Sequence, residues 1–265
     1  MGIDYVIGLD CVPKQTLAPQ IILERLKARD RAAAIVKLYR DHGDQRSPSE
    51  MGFEMVRRTP TGGEETQVVI VQDLLDESSS LDLLSHHCAG CPANCLQQPF
   101  GCYGSLNYPI SRAAELWLLK QLPGEDEPLP FLLLNQTMKE FGLTGAGVQS
   151  VKMRERPGVF FETAERFGRN LEDKQITTDH VFEMLFMVGD IQPPYAVMLL
   201  LFFGAIPRDM DAASMMSLTE RDADRSLPFA LEDDPDDDES IRGFKGFFEA
   251  LHRAYRLGVA LSLDV

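Results

Sequence analysis

The chain has 265 residues, 44% of them hydrophobic and 25% charged, enough to bury a core in one large domain or two small ones. Its formal net charge of −15 argues against nucleic acid, because so acidic a surface repels phosphate backbones unless a basic patch overcomes it. The densest basic stretch, from Arg25 to Arg31, alternates with Glu24 and Asp30 and reads as a solvated helix face.

The first residues lack the basic start and longer apolar run of a signal peptide. Residues 3–9 alternate and predict a strand, and residues 17–42 predict helix, with Thr16 as N-cap and Gly43 as stop. Residues 52–58 and 67–72 are β-like runs. The separator Thr59-Pro60-Thr61-Gly62-Gly63 suits a hairpin, since its glycines accept positive φ. Strand, helix and hairpin together predict a small α+β module over residues 1–75.

A short acidic helix is expected over residues 74–85, then a cysteine segment over 86–108, giving a metal-binding lobe with flanking helices at 76–125. The remainder, 126–265, reads as mainly helical, with helices at 130–141, 178–188, 195–206 and 241–261; a further one at 111–121 precedes it. The apolar run 195–206 is too short for the ~20 residues of a bilayer span and predicts a buried core helix. Residues 207–239 read as a loop. Its acidic part, within 231–240, is expected to be mobile because it is too charged to pack.

The chemistry concentrates in His86-His87-Cys88-Ala89-Gly90-Cys91-Pro92-Ala93-Asn94-Cys95 and Cys102. Four of the five cysteines follow the spacing C-x2-C-x3-C-x6-C. A metal needs soft ligands converging at about 2.3 Å from each sulfur. A two-residue gap containing Gly90 lets the chain fold tightly with both thiolates inward, and Gly101 and Gly104 suggest a second turn around Cys102. A chain with no leader reads as cytoplasmic, where clustered thiols point to metal before disulfides. The expected ligands are Cys88, Cys91, Cys95 and Cys102. Zinc is the expected ion, and a 4Fe-4S cluster in electron transfer or redox sensing is the alternative. The spacing resembles the structural zinc lobe of medium-chain alcohol dehydrogenases. The resemblance ends with that spacing, because no G-x-G-x-x-G follows a strand. His86 or His87 could replace one thiolate, which would open the site to bound water and hydrolysis.

Other candidates are weaker. Cys11 reads as a small buried apolar group. His180 and Glu183, three apart in Asp179-His180-Val181-Phe182-Glu183, read as a surface hydrogen-bonded pair, since the Glu-x-x-His of di-metal bundles is here single and reversed. No nucleophile elbow or phosphate loop is legible, and Gly142-Leu143-Thr144-Gly145-Ala146-Gly147 reads as a helix stop. The function expected is association with a protein partner, held in shape by metal, with Phe100, Tyr103 and Tyr108 as aromatic anchors if exposed.

Overall fold

A computed structural model describes residues 2–58, 64–171, 174–186, 189–220 and 223–264. The protein mixes helix and sheet, the coarse class that the sequence predicts. It has two compact units. The first comprises Met1–Leu9, Pro92–Leu96 and Gly101–Val265; the second comprises Asp10–Cys91 and Gln97–Phe100.

The chain opens in β1 (Gly2–Ile7) of the first unit and passes directly into the second. There α1 (Val12–Thr16) and α2 (Pro19–Asp41) each carry proline in the first turn, where its missing N–H costs nothing. The expected N-cap, Thr16, instead ends α1, its hydroxyl donating to the Val12 carbonyl at 2.8 Å. The helix stop is where it was expected, with Gly43 at φ +79°. β2 (Gly52–Arg58) pairs antiparallel with β3 (Glu64–Ile70) from Gly52↔Ile70 to Arg58↔Glu64. This is the predicted hairpin with its second strand shifted, at 64–70 where 67–72 was expected; the separator 59–63 lies outside the described residues. α3 (Val71–Ser78) follows without a break.

The core of this unit gathers Ala28, Ala32, Met51, Val71 and Leu74, with Ile35, Val36, Tyr39, Phe53, Val69 and Leu75 packed around them. Ala28 and Ala32 lie one turn apart on α2, and their small side chains let neighbouring elements come close. The basic stretch is not merely solvated. Arg25 donates to the Ser80 hydroxyl at 2.7 Å, and Arg29 reaches Asp82 at 2.7 Å and the Ser78 carbonyl at 3.1 Å.

In the first unit, β4 (Tyr103–Asn107) flanks β1 on one side. The helices α4 (Arg112–Gln121), α5 (Pro128–Glu140) and α6 (Val148–Arg154) follow. Next come the hairpin β5 (Gly168–Leu171) and β6 (Lys174–Thr177), then α7 (Thr178–Phe186) and α8 (Pro193–Phe202). α9 (Ala212–Ser217), α10 (Glu239–Leu257) and β7 (Leu261–Asp264) complete it.

The sheet order β4-β1-β7 is antiparallel throughout, with Tyr5 opposite Gly104 and Leu263. This corrects the expected strand-helix-hairpin module: β1 pairs with residues 103–107 and 261–264 of its own unit, while β2 and β3 pair with each other. Alternation marks a strand and its faces, but pairing is non-local, so no local pattern names the partner. The helix expected over 241–261 also ends early. Gly258 at φ +68° stops α10, and the chain turns into β7.

Ile3, Tyr5 and Ile7 are buried, and the Tyr5 ring meets Phe247 of α10 edge-on at 5.4 Å. Phe161 meets Phe182 at 4.7 Å and Phe186 meets Phe247 at 5.4 Å, extending an aromatic core between α7 and α10. α8 buries Ala196, Val197, Leu199, Leu200, Leu201 and Phe202, as a helix apolar all round must. Among the described residues no helix is long and apolar enough to cross a membrane.

Two expectations of irregular structure are revised. The segment 207–239 contains α9. Part of its acidic run is tied to α10 through charge: Asp238 caps the helix by accepting the Ile241 N–H at 2.8 Å, and Lys245 bonds both Asp237 and the Glu232 carbonyl.

Candidate metal centre

Cys88 and Cys91 belong to the second unit. Cys88 ends a 3-10 turn, Ser85–Cys88. Ala89 then takes φ −65°, ψ 122°, and Gly90 takes φ +72°. The Cys91 N–H returns to the Cys88 carbonyl at 3.3 Å. These are the angles and the hydrogen bond of a type II turn, which requires positive φ at its third residue, and that residue is glycine. Such a turn keeps its first and fourth α-carbons within ~7 Å. The expected tight loop is therefore present, with Gly90 supplying the conformation.

The Cys88 thiol is buried and has a specific donor. The Phe100 N–H points at its Sγ at 3.2 Å. Burial pushes the Cys88 thiol up from its ordinary range, and the Phe100 amide pulls against that shift. Phe100 is 3% exposed and sits at φ +61°; Gln97, three residues earlier, is also left-handed at φ +51°. His86 and His87 are exposed, with ring centroids 3.9 Å apart.

Cys95 and Cys102 belong to the first unit. The Gly101 carbonyl accepts both the Cys95 N–H at 3.1 Å and the Leu96 N–H at 3.4 Å, closing the loop between the third and fourth cysteines. Cys95 Sγ lies 3.7 Å from the Ala93 carbonyl. Cys102 is buried immediately before β4, and its carbonyl accepts the Ile7 N–H at 3.0 Å. Gly104 makes no turn around Cys102. It lies within β4, where an added Cβ would come 2.4 Å from the Tyr5 ring, so close packing is what requires glycine there.

The five cysteines are thiols, with no disulfide among the described residues. Among those residues, no three side chains of His, Cys, Asp and Glu are gathered closely enough to hold a metal ion. Of the expected aromatic anchors, Phe100 and Tyr103 are buried, and Tyr108 is half-buried against Phe160 at 5.2 Å. In the loop between Cys95 and Cys102, Leu96, Gln97, Gln98 and Pro99 are exposed.

Cys11 is half-buried at the N-terminus of α1. The His180–Glu183 pair is not at the surface: His180 is half-buried and Glu183 buried. Asp179 and Glu183 are buried, and the Glu183 carboxylate accepts the N–H groups of Thr144, Gly145 and Gly147 at 3.1, 3.0 and 2.6 Å. Thus the glycine-rich string that follows α5 wraps a carboxylate of α7.

Sequence reasoning missed the Arg154 network entirely. Its guanidinium bonds Glu115 bidentately, donates to Asp179 at 2.8 Å and to the Thr178 hydroxyl at 2.9 Å, and lies 3.6 Å over the Phe161 ring. Arg166 pairs with Asp179 at 3.0 Å. Two carboxylates and two guanidinium groups balance in charge, so this cluster, buried except for the half-exposed Arg166, is closed upon itself. One signal was available. Glu115 shares a helix face with Ala114, Leu118 and Leu119, and a carboxylate on an apolar face requires a cation.

No protein-family model, curated protein or solved structure matches the chain.

Proposed function

We propose that this chain is a metal-stabilised binding protein of the cytoplasm. In this reading Cys88, Cys91, Cys95 and Cys102 take one thiophilic ion, Zn²⁺ foremost, and the segment they order serves association with a protein partner. The observation that carries the proposal is the Cys88–Cys91 turn: a glycine-dependent type II turn between two cysteines, with a backbone N–H aimed at the first sulfur. A neutral thiol is a weak acceptor, whereas a thiolate makes the same contact a charge-assisted bond.

The donor set fits the ion. Zn²⁺ accepts four thiolates in a closed tetrahedral site, which is structural in character, and when bound it would keep those sulfurs deprotonated. Thiols have no attraction for one another, so convergence of the ligands is driven by the ion and is coupled to ordering of the loop. Leu96 to Pro99 would be the outward part of the ordered segment. The net charge of −15 favours a basic partner, with binding that weakens as salt rises.

The test is metal analysis of the full-length protein purified without oxygen. About one zinc per chain with no visible absorption is the expected result. Iron and acid-labile sulfide with broad visible absorption would replace zinc by a 4Fe-4S cluster and association by electron transfer or redox sensing. Protein that holds neither, and takes up neither on reconstitution, overturns the metal reading.

A further inference from the structure

We propose that the groove between the outer edge of β4 and the first turn of α10 binds an extended basic segment of a partner protein, which joins the sheet as an added antiparallel strand. This rests on the association with a basic partner proposed above, but it needs none of the cysteines and no metal.

The whole groove lies within the first unit. β4 is the last strand on its side of the sheet. The Ile7 N–H donates to the Cys102 carbonyl at 3.0 Å, one step beyond the Val6↔Tyr103 pair. Hydrogen-bonded pairs alternate along an antiparallel ladder, so Gly104 and Leu106 turn their backbone groups to β1, and Ser105 and Asn107 turn theirs outward. Both of these residues are exposed. Such an edge is a template for a further strand. The far side of the sheet starts out covered, because Ile191 and Leu261 exchange two backbone hydrogen bonds, at 2.9 and 3.0 Å. Beside Ser105 and Asn107 there is instead a cavity of about 410 Å³, with Leu106 and Ile110 as its apolar lining and Glu239 and Arg242 of α10 along its border.

An added antiparallel strand sets alternate residues opposite Ser105 and Asn107, where they exchange backbone hydrogen bonds. The residue between them stands opposite Leu106 and shares its face of the sheet. That face looks toward α10, since a Cβ on Gly243 would lie 3.2 Å from the Leu106 side chain. The middle residue of the segment therefore points into the cavity. A long aliphatic stem can lie on Leu106 and Ile110 while its cationic head reaches the exposed Glu239. Charge selects that head. Seven carboxylates fall within residues 232–239, against the cations Arg242 and Lys245. Both cations are engaged, Arg242 with the Asp237 carbonyl and Lys245 with the Asp237 carboxylate. A second copy of the chain is a poorer occupant, because pairing two β4 edges brings two such acidic runs together.

The test uses the full-length chain and a short, end-capped, fluorescent peptide of alternating threonine and lysine, followed by anisotropy. Saturable binding that weakens as salt rises is expected, with none for the threonine–glutamate counterpart. When the lysines face the cavity, the threonine N–H groups face β4. N-methylation of the threonines should therefore weaken binding at least about tenfold, and N-methylation of the lysines should leave it near the parent value. Ser105→Pro removes an outward N–H and spares the β1 ladder, so it should cause a similar loss with an unchanged urea midpoint. Glu239→Lys should also lower the affinity, by about tenfold. A lysine peptide that fails to bind overturns the proposal, as does equal loss from the two N-methylation patterns, which is the signature of charge alone. Binding abolished by a chelator would assign the peptide to the cysteine loop instead. A dimer in sedimentation equilibrium that excludes the peptide, and that Ser105→Pro dissociates, would give the edge to a second copy. The metal analysis is unaffected by the N-methylation comparison, so the two readings fail separately.

Discussion

The Ser111 hydroxyl donates to the Asp238 carboxylate at 2.5 Å, and each of these residues is the N-cap of a different helix. Ser111 Oγ also accepts the Ala114 N–H of α4 at 3.0 Å, while Asp238 Oδ1 accepts the Ile241 N–H of α10 at 2.8 Å. The Ser111 N–H continues to the Ser240 hydroxyl at 3.1 Å. Two helix N-termini therefore share one negative charge, which complements both macrodipoles.

Ser111→Ala removes a cap and a charge-assisted hydrogen bond together, so it should destabilise the protein by about 2 kcal/mol. Asp238→Ala should cost a similar amount. In urea unfolding the double variant should lose about 1 kcal/mol less than the sum of the two, because the shared bond is removed only once. Strict additivity would mean that the two caps act independently.

The buried Arg154 network gives a larger effect. Glu115 and Asp179 are fully buried and Arg154 nearly so. Burial pushes the Glu115 carboxyl up, against the pull of Arg154. Arg154→Met leaves both carboxylates without their shared cation, with an expected loss of about 3 to 5 kcal/mol. Adding Glu115→Leu should recover part of that loss, because it removes one of the stranded charges. Equilibrium denaturation of the single and double variants distinguishes this from a simple loss of packing, in which the second substitution would only add to the damage.

What could be read in advance follows from the range of each interaction. The hairpin of β2 and β3 is local, so alternation and a turn-forming separator were enough to identify it. The all-apolar α8 could only be buried. The Cys88–Cys91 turn was legible because Gly90 answers a local backbone demand. By contrast, β1 finds β4 and β7 across most of the chain, and Glu115, Arg154 and Asp179 meet from three separate helices. The same holds for the Phe100 amide on Cys88: nothing near either residue announces it, because a backbone donor leaves no trace in the side-chain sequence.

His180 makes stability pH-dependent. Its Nδ1 accepts the Thr177 N–H at 3.1 Å, so that nitrogen carries no proton in the fold. Burial lowers the His180 pKa from its ordinary value, more strongly than the nearby Glu183 and Asp179 raise it. For a depressed histidine the stabilising contribution is fully present above the unfolded value, ~6.5. It declines as pH falls toward the folded pKa, where the unfolded chain binds the proton first. His252, lowered by burial, acts in the same direction. Urea midpoints measured between about pH 7.5 and 5.5 should therefore fall with acidification. His180→Gln should flatten the dependence by its share, whereas a profile unchanged in the variant would place its origin in other groups.

Gly90 offers the most isolated test of the turn that carries the metal reading. Its φ is +72°, and a Cβ added there meets nothing within 4 Å. Gly90→Ala therefore introduces no clash with a neighbour, and its cost is that of a left-handed backbone, about 1 to 2 kcal/mol. Gly90 is exposed, so an alanine turn can relax in the metal-free chain without disturbing the core. Closing the turn around an ion must then restore the left-handed conformation, and the penalty appears as lost affinity rather than lost fold. Competition with a chromophoric chelator should give a zinc affinity lower by roughly tenfold for Gly90→Ala. The loss should be smaller for Gly90→Asn, since asparagine enters the left-handed region more readily. Circular dichroism should be unchanged in both. An alanine variant that bound zinc as tightly as wild type would show that the Cys88–Cys91 turn is not part of the ligand geometry.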